Sequence, residues 1–396
     1  MKTNSWALFL CVTAIGCIQF KDDDSAAKKN QAQATIAAAS DSDVTAPSYE
    51  TFAMDTAGVG ERLSSTPADD SLYGKITEKS VETKATRFPI TIPKRGAAAL
   101  QIQVLLDRAH FSPGIIDGVW GDNAAKALSF YGSSQSGDSS TAADSAMVLD
   151  EATYSRLRAA MGSQPVLTSY TVTAADLEGP FKKVPDNVYE QAKLDCLCYE
   201  SAKEGIAEKF HTSVKLLAQL NPKVSLDALT AATSLIVPNV EVESVDGVAS
   251  GAAPSSGVAK LVISKTGFWT HAVDSSGKIL YHFPSTLGSG YLSSADESPT
   301  GGFKVTNISW NPAFHYQPKL FAEVSDTKPE AHLPKGPNSP VGVVWMALSK
   351  PHFGIHGTSS PETIGYTNSH GCVRLTNWDA TELGHLISKG TPVVFQ

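Results

Sequence analysis

The chain has 396 residues, 42% of them hydrophobic, which is long enough for two to four domains with sizeable cores. Its formal net charge is -8 and it carries no Lys/Arg-rich run, which argues against a nucleic-acid partner. Beyond the first residues no apolar run approaches the roughly 18–20 residues that a spanning helix needs, so the body is expected to be soluble.

Lys2 supplies a small positive region, and Trp6 to Ile15 is apolar apart from Thr13. Ala14-Ile15-Gly16-Cys17 then places small residues one and three positions before a cysteine. A secretory signal over residues 1–17 is expected, too short to act as a spanning anchor. Its end resembles a bacterial lipobox, whose cysteine is lipidated and becomes the first residue of the mature protein. The resemblance implies a lipid anchor at Cys17. Ile18, where aspartate would signal retention, implies an outer-membrane lipoprotein on the periplasmic side of a Gram-negative envelope. An ordinary signal peptide with an incidental cysteine is the alternative. Of five cysteines, Cys11 would leave with the signal and Cys17 would be lipidated. That leaves Cys196, Cys198 and Cys372. Export permits disulfides, but an i, i+2 bridge is strained, and the sequence assigns none.

Residues 18–92 are rich in Ala, Ser, Thr and Asp and read as a disordered tether. As a flexible coil of roughly 75 residues it would average about 50 Å end to end.

Residues 93–162 are expected to form a small helical unit. Ala97 to His110 sets Leu100, Val104 and Leu105 at helical spacing. Asp117-Gly118-Val119-Trp120-Gly121 is turn chemistry around one aromatic. Asp122 or Asn123 can cap a second helix through Leu128, and Asp150 a third carrying Tyr154 and Leu157. Helix, Ile116 to Gly121, helix resembles the peptidoglycan-binding three-helix domain, and Leu100-Gln101-Ile102-Gln103-Val104 matches its first-helix pattern except for valine in place of leucine. The Ser/Gly insertion at 132–145 departs from that family.

Residues 168–240 resemble a LysM module, a βααβ unit that binds N-acetylglucosamine-containing glycans. Tyr170 to Thr173 is the first strand. Ser201-Ala202-Lys203-Glu204 reads as a capping box before Ile206, Ala207 and Phe210. Thr212 or Ser213 caps a second helix with Leu216, Leu217 and Leu220, which Asn221-Pro222 stops. Leu235 to Pro238 closes the unit. An insertion at 174–200, holding Cys196 and Cys198, departs from the family; glycan binding and a plain spacer role both stay open.

Ser250 to Gly257 is a linker. Residues 258–396 are strand-rich. Lys260 to Ile263, Phe268 to Val273 and Lys278 to Phe283 are strand candidates, with a hairpin turn from Asp274 to Gly277. Gly342 to Leu348 and Pro392 to Phe395 are further short runs. A late helix is expected to be capped by Asn377 and to present Leu383, Leu386 and Ile387 before stopping at Gly390.

The segments His352-Phe353-Gly354-Ile355-His356-Gly357-Thr358 and Ser369-His370-Gly371-Cys372-Val373-Arg374-Leu375 carry the chemistry. A cysteine nucleophile needs thiolate character, which a nearby imidazole or cation supplies. Glycine before it permits a sharp turn and close substrate approach. Arginine two residues later offers a planar donor for a carboxylate. These residues resemble the catalytic motif of the YkuD-type L,D-transpeptidases: histidine, a loop, then Ser-His-Gly-Cys and arginine. His356 lies 16 positions before Cys372. Ser298 to Phe303, Gly336 to Gly342 and Asn377 to Ala380 also look like family segments.

The resemblance implies a mainly β catalytic domain preceded by a small three-helix domain and a βααβ LysM-like domain. It implies Cys372 as nucleophile and His356 as base, oriented by a carbonyl near Gly357 or Thr358. His370 and Gly371 would shape the oxyanion site, and Arg374 would hold the site or a substrate carboxylate. Gly357, Thr358 and Ser369 would bind substrate; Trp310 reads as core, with Trp310 or Tyr316 as alternative linings of the peptide groove. Cys372 would attack a peptidoglycan stem tetrapeptide, expel D-Ala, and pass the acyl group to an amine as a 3→3 cross-link or to a lysine of an outer-membrane protein. Water as acceptor would give L,D-carboxypeptidase activity. No cofactor or metal is implied. Two other readings stand beside this one: a wall-binding lipoprotein without catalysis, and a zinc hydrolase using His352, His356, His370 and Cys372. His271, His282, His315, His332 and His385, and the indoles of Trp345 and Trp378, read as ordinary packing or polar residues.

Overall fold

The computed structural model describes residues 76–136, 148–242, 244–245, 256–287, 302–320, 325, 327–367 and 372–396. The expected signal, Cys17, most of the tether, Ser298 to Gly301, Ser369, His370 and Gly371 lie outside the described residues.

Residues 76–92, within the expected tether, are folded. Helix α1 (Glu78–Glu82) opens with a capping box in which Thr77 and Ser80 bond reciprocally. Val81 and Ile92 are fully buried in the cluster formed with the following helices. Composition misleads here because two such anchors, placed on a preformed apolar face, suffice to hold a polar segment. After β1 (Ile90–Thr91) come α2 (Ala97–Arg108), α3 (Asp122–Ser136), β2 (Val148–Leu149), paired with β1, and α4 (Glu151–Met161). Asp150 caps α4, accepting from Thr153 N at 2.9 Å. Helix α3 runs past Leu128 because Tyr131 is also buried. Buried Gln103 holds the turn after α2: its amide oxygen accepts from Gly118 N at 2.7 Å and its nitrogen donates to Val119 O at 3.0 Å.

The next unit is β3 (Leu167–Thr171), α5 (Val188–Gln191) within the insertion, α6 (Ala202–Lys209), α7 (Val214–Leu220) and β4 (Ser234–Pro238), which pairs antiparallel with β3. Ser201 caps α6 and Ser213 caps α7. The expected capping box is half made, since Glu204 accepts from Glu200 N at 2.6 Å. Asn221 ends α7 and bonds both polar groups of Ile236, tying the helix to β4. The apolar side chains of this unit and of the helical unit form one continuous core, rather than two separate ones. A bridge between Ile116 and Thr212 joins them, with Ile116 N donating to His211 O at 2.8 Å.

The C-terminal domain is an eight-stranded sheet. Its strands are β5 (Lys260–Ser264), β6 (Trp269–Val273), β7 (Ile279–Pro284), β8 (Phe303–Trp310), β11 (Val344–Leu348), β12 (Gly354–His356), β13 (Val373–Arg374) and β14 (Pro392–Phe395). Their order is β13-β12-β11-β8-β14-β5-β6-β7, and β9 (Phe314–Tyr316) with β10 (Ala331–Leu333) forms a separate hairpin. The longest of these strands, β8, is absent from the sequence reading, although Phe303, Val305 and Asn307 alternate with Lys304 and Thr306. Helix α8 (Asn377–Leu386) buries Leu383 against the sheet core. Its cap is Thr376, which accepts from Asp379 N at 3.1 Å, and not Asn377; the helix ends at Leu386, before Gly390.

The earlier units dock on this domain at several places, two of them at β7 and at the insertion. Strand β7, an edge of the sheet, pairs with the segment after α2: His282 N donates to His110 O at 3.0 Å and Ser112 N to His282 O at 2.9 Å. A covered edge cannot recruit another chain. The insertion forms the second contact. Cys196 and Cys198 are joined in a disulfide, which the sequence leaves unassigned. Leu197 between them is fully buried with Tyr316 and Leu333, and its amide donates to Lys335 O at 2.9 Å. Asn338 donates to Cys198 O at 3.1 Å and to Glu204 Oε1 at 2.8 Å.

Candidate active site

Strands β12 and β13 run parallel, with Ile355 opposite Val373 and His356 opposite Arg374. One step back in the same register sets Gly354 beside Cys372. Side chains alternate along a strand, so the paired His356 and Arg374 share one face, and the Cys372 thiol, one residue before β13, meets the Gly354 amide and the Arg374 charge. On the other flank β11 sets Trp345 opposite His356, and the two rings stack at 5.3 Å. Gly354 makes room for that indole: a Cβ there would lie 2.6 Å from the Trp345 ring.

His356 is buried, and its Nδ1 lies 2.6 Å from the Gly357 carbonyl. A carbonyl only accepts, so Nδ1 carries the proton and Nε2 is left with its lone pair. Burial, helped by the Arg374 charge, lowers the imidazole pKa to about 3, so the ring is neutral at physiological pH. Cys372 is half-buried, with Sγ 3.8 Å from the His352 carbonyl. Burial raises the thiol pKa, against the opposing pull of the Gly354 amide and of Arg374. The resting pair is therefore neutral thiol and neutral imidazole.

The Gly357–Thr358 peptide unit is held from its other end by Asn377. Its carbonyl accepts from His356, and the Thr358 N–H of the same planar unit donates to Asn377 Oδ1 at 3.1 Å. Asn377 Oδ1 also accepts from Val343 N at 3.3 Å, while Nδ2 donates to Pro337 O at 3.1 Å and to Glu208 Oε1 at 2.9 Å. All four hydrogen-bonding positions of the amide are used. Gly342 and Gly357 give it room, since a Cβ at either would overlap Asn377 Oδ1. Sequence reasoning missed this role because Asn just before a helical run reads as a cap.

Residues 260–395 match the family model described as the L,D-transpeptidase catalytic domain, YkuD. The Bacillus licheniformis protein YkuD, named as an L,D-transpeptidase, is 27% identical over 190 residues, spanning 48% of this chain and 90% of its own. Its Bacillus subtilis namesake is 28% identical over 188 residues, covering 48% and 89%. Residues 260–395 are a YkuD-type L,D-transpeptidase catalytic domain. Among solved structures, the Enterococcus faecium L,D-transpeptidase catalytic domain aligns over 35% of this chain and 98% of its own, at 19% identity and TM-score 0.26. An L,D-transpeptidase from Xylanimonas cellulosilytica aligns over 79% and 100%, at 14% identity and TM-score 0.32.

Within the transpeptidase domain the expected groove residues fare unequally. Thr358 is buried beside His356 with its amide on Asn377. Tyr316, at the end of β9, is 3% exposed, packed with Tyr189 and Leu197 of the insertion and Leu333 of β10. That burial corrects its expected place on an open groove. Trp310 packs its ring on His385 and against Gly384 of α8, a helix-to-sheet contact that fits its reading as core and not the alternative of a groove wall. Trp345, read as ordinary core, is the aromatic that stacks on His356. His271 and His282 are buried and bonded to each other at 3.0 Å, as packing residues would be. A cavity of about 440 Å³ is lined by Phe181, Glu208, Lys209, Val343, Asn377 and Trp378, and so borders the far side of the Asn377 amide.

Proposed function

We propose that the protein is an envelope-anchored peptidoglycan transpeptidase whose nucleophile is Cys372 and whose base is His356. The observation that carries this reading is the His356 tautomer: with Nδ1–H committed to the Gly357 carbonyl, Nε2 keeps a lone pair to take the proton of Cys372, which stands just before the strand paired with His356. Because the resting pair is neutral, proton transfer accompanies attack instead of preceding it.

The sulfur adds to the carbonyl joining the L-centre of the diamino residue to the terminal D-Ala of a stem tetrapeptide. The oxyanion forms beside Cys372, at the site that His370 and Gly371 would shape. As it collapses, the C–N bond breaks and His356 passes its proton to the departing D-Ala amine, leaving a thioester on Cys372. An acceptor amine then attacks, giving its proton to His356, and the C–S bond breaks to restore the thiol. A second stem as acceptor gives a 3→3 cross-link; water gives a tripeptide. Arg374, beside both groups, favours the thiolate and can hold a substrate carboxylate.

The helical unit and the βααβ unit are read as peptidoglycan-binding-like and LysM-like modules that bring the domain to glycan, and Cys17 as the lipidation site of an outer-membrane lipoprotein. Their shared core supports a single rigid block as the targeting device.

The test is incubation of the protein with disaccharide-tetrapeptide, read by mass spectrometry beside Cys372→Ala. D-Ala release with a tetrapeptide–tripeptide dimer, absent in the variant, is expected. No release from either protein would overturn the catalytic reading in favour of a wall-binding lipoprotein, and zinc found in the purified protein with activity lost on chelation would favour the hydrolase.

A further inference from the structure

We propose that Glu208, on α6 of the βααβ unit, is a positioning residue for His356, acting through the Asn377 side chain and the Gly357–Thr358 peptide. This rests on the catalytic reading of His356 given above. The connection is a continuous series of bonds that begins outside the transpeptidase domain. Glu208 Oε1 accepts from Asn377 Nδ2 at 2.9 Å, Asn377 Oδ1 accepts from Thr358 N at 3.1 Å, and the Gly357 carbonyl accepts from His356 Nδ1 at 2.6 Å. The last two bonds sit on opposite ends of one peptide plane. A shift of the amide therefore tilts the carbonyl on which the imidazole depends.

Glu208 contributes a constraint that the domain alone lacks. The two ends of an asparagine amide are nearly equal in shape, and its orientation is set by what faces it. On the nitrogen side stand two acceptors, Pro337 O and the Glu208 carboxylate. Without Glu208 only one remains. Glu208 is itself fixed: the Tyr199 hydroxyl donates to the same Oε1 at 2.8 Å. One turn earlier in α6, Glu204 accepts from Asn338 at 2.8 Å, so α6 holds the loop before β11 as well. His211, two residues past the end of α6, stacks on Trp378 next to Asn377. These contacts place the carboxylate with little freedom, as a positioning group requires.

Docking of the βααβ unit is thus coupled to the geometry of the catalytic base, besides any role in glycan capture. The coupling is short: three hydrogen bonds and one peptide plane join five residues.

The experiment compares the full-length chain with Glu208→Leu, Glu208→Asp and Glu208→Gln. Readouts are kcat and KM on disaccharide-tetrapeptide and the His356 Nδ1–H proton resonance by NMR. Leucine removes the acceptor. Aspartate keeps the charge but withdraws it by one methylene, which protects the test if the leucine variant fails to fold. Both are expected to lower kcat about tenfold or more with KM within twofold, and to shift or broaden the Nδ1–H resonance, since small misplacements at an active site have effects of this order. Glutamine, whose amide oxygen can accept both bonds, is expected to restore most of kcat and the resonance. An unchanged kcat and resonance in the aspartate and leucine variants would overturn the proposal. An inactive wild-type protein whose Nδ1–H resonance nevertheless moves in these variants would instead refute the catalytic reading while leaving the connection standing.

Discussion

Asn377→Ala is expected to destabilise the protein by about 2–4 kcal/mol as well as to lower kcat. The substitution removes four hydrogen bonds at once. The two acceptors lose little, because Glu208 keeps its bond from Tyr199 and the Pro337 carbonyl has a second lone pair. The cost falls on the two N–H groups. Thr358 N is buried and Val343 N partly so. A buried donor left unmade costs about 1–3 kcal/mol, and discounting the partly exposed one gives the stated range. Against a typical total of about 5–15 kcal/mol, urea unfolding resolves such a loss as a lower midpoint at unchanged slope. Asn377→Asp separates the two ends of the amide. It keeps the acceptor for both N–H groups but turns a carboxylate oxygen toward Glu208. Its loss should therefore be larger at pH 8 than at pH 5. A loss below 1 kcal/mol for the alanine variant, with kcat unchanged, would refute the reasoning that this amide holds the loop and the base.

Other outcomes follow from the same geometry. Gly342→Ala should unfold the site region and abolish turnover, because its Cβ would overlap Asn377 Oδ1 at a residue with φ +59°; a melting temperature within 2 °C of wild type would contradict this. Glu208, with a pKa raised to about 7 by burial and by Glu204 against the bonds from Asn377 and Tyr199 and the charge of His211, favours the fold when protonated. Its contribution is full below about pH 4 and is lost as pH rises through 7, so stability should fall from pH 5 to 8. Glu208→Gln should remove part of that fall, about 2 kcal/mol at pH 8 once partial solvent access is allowed for. Asp379, raised to about 8 by burial, acts in the same direction, and Asp379→Asn should flatten the profile further in urea titrations. The His356 ring should show no titration between pH 5 and 8 by NMR, given a pKa lowered to about 3; a midpoint near 6.5 would mean that water reaches it.

Local pattern was enough for much of the chain. The caps at Asp150, Ser201 and Ser213, the helix faces of Leu100, Val104, Leu216 and Leu217, and the strands around Lys260 to Phe283 are set by neighbours within a few residues, where side-chain chemistry and period act directly. The motif residues His356, Cys372 and Arg374 stand out for the same reason: an imidazole, a thiol and a guanidinium at fixed spacing have few other uses. What the sequence could not supply depends on partners far along the chain. Asn377 has the composition of a cap, yet meets Gly342, Thr358 and Glu208, between 19 and 169 residues away. Tyr316 has the look of a groove aromatic until the insertion covers it. The insertion itself reads as a departure from a family pattern, and only docking gives Leu197 and the Cys196–Cys198 bridge a surface to hold. Short-range preferences are written in the residue and its neighbours; burial and the pairing of polar groups are decided when distant segments meet.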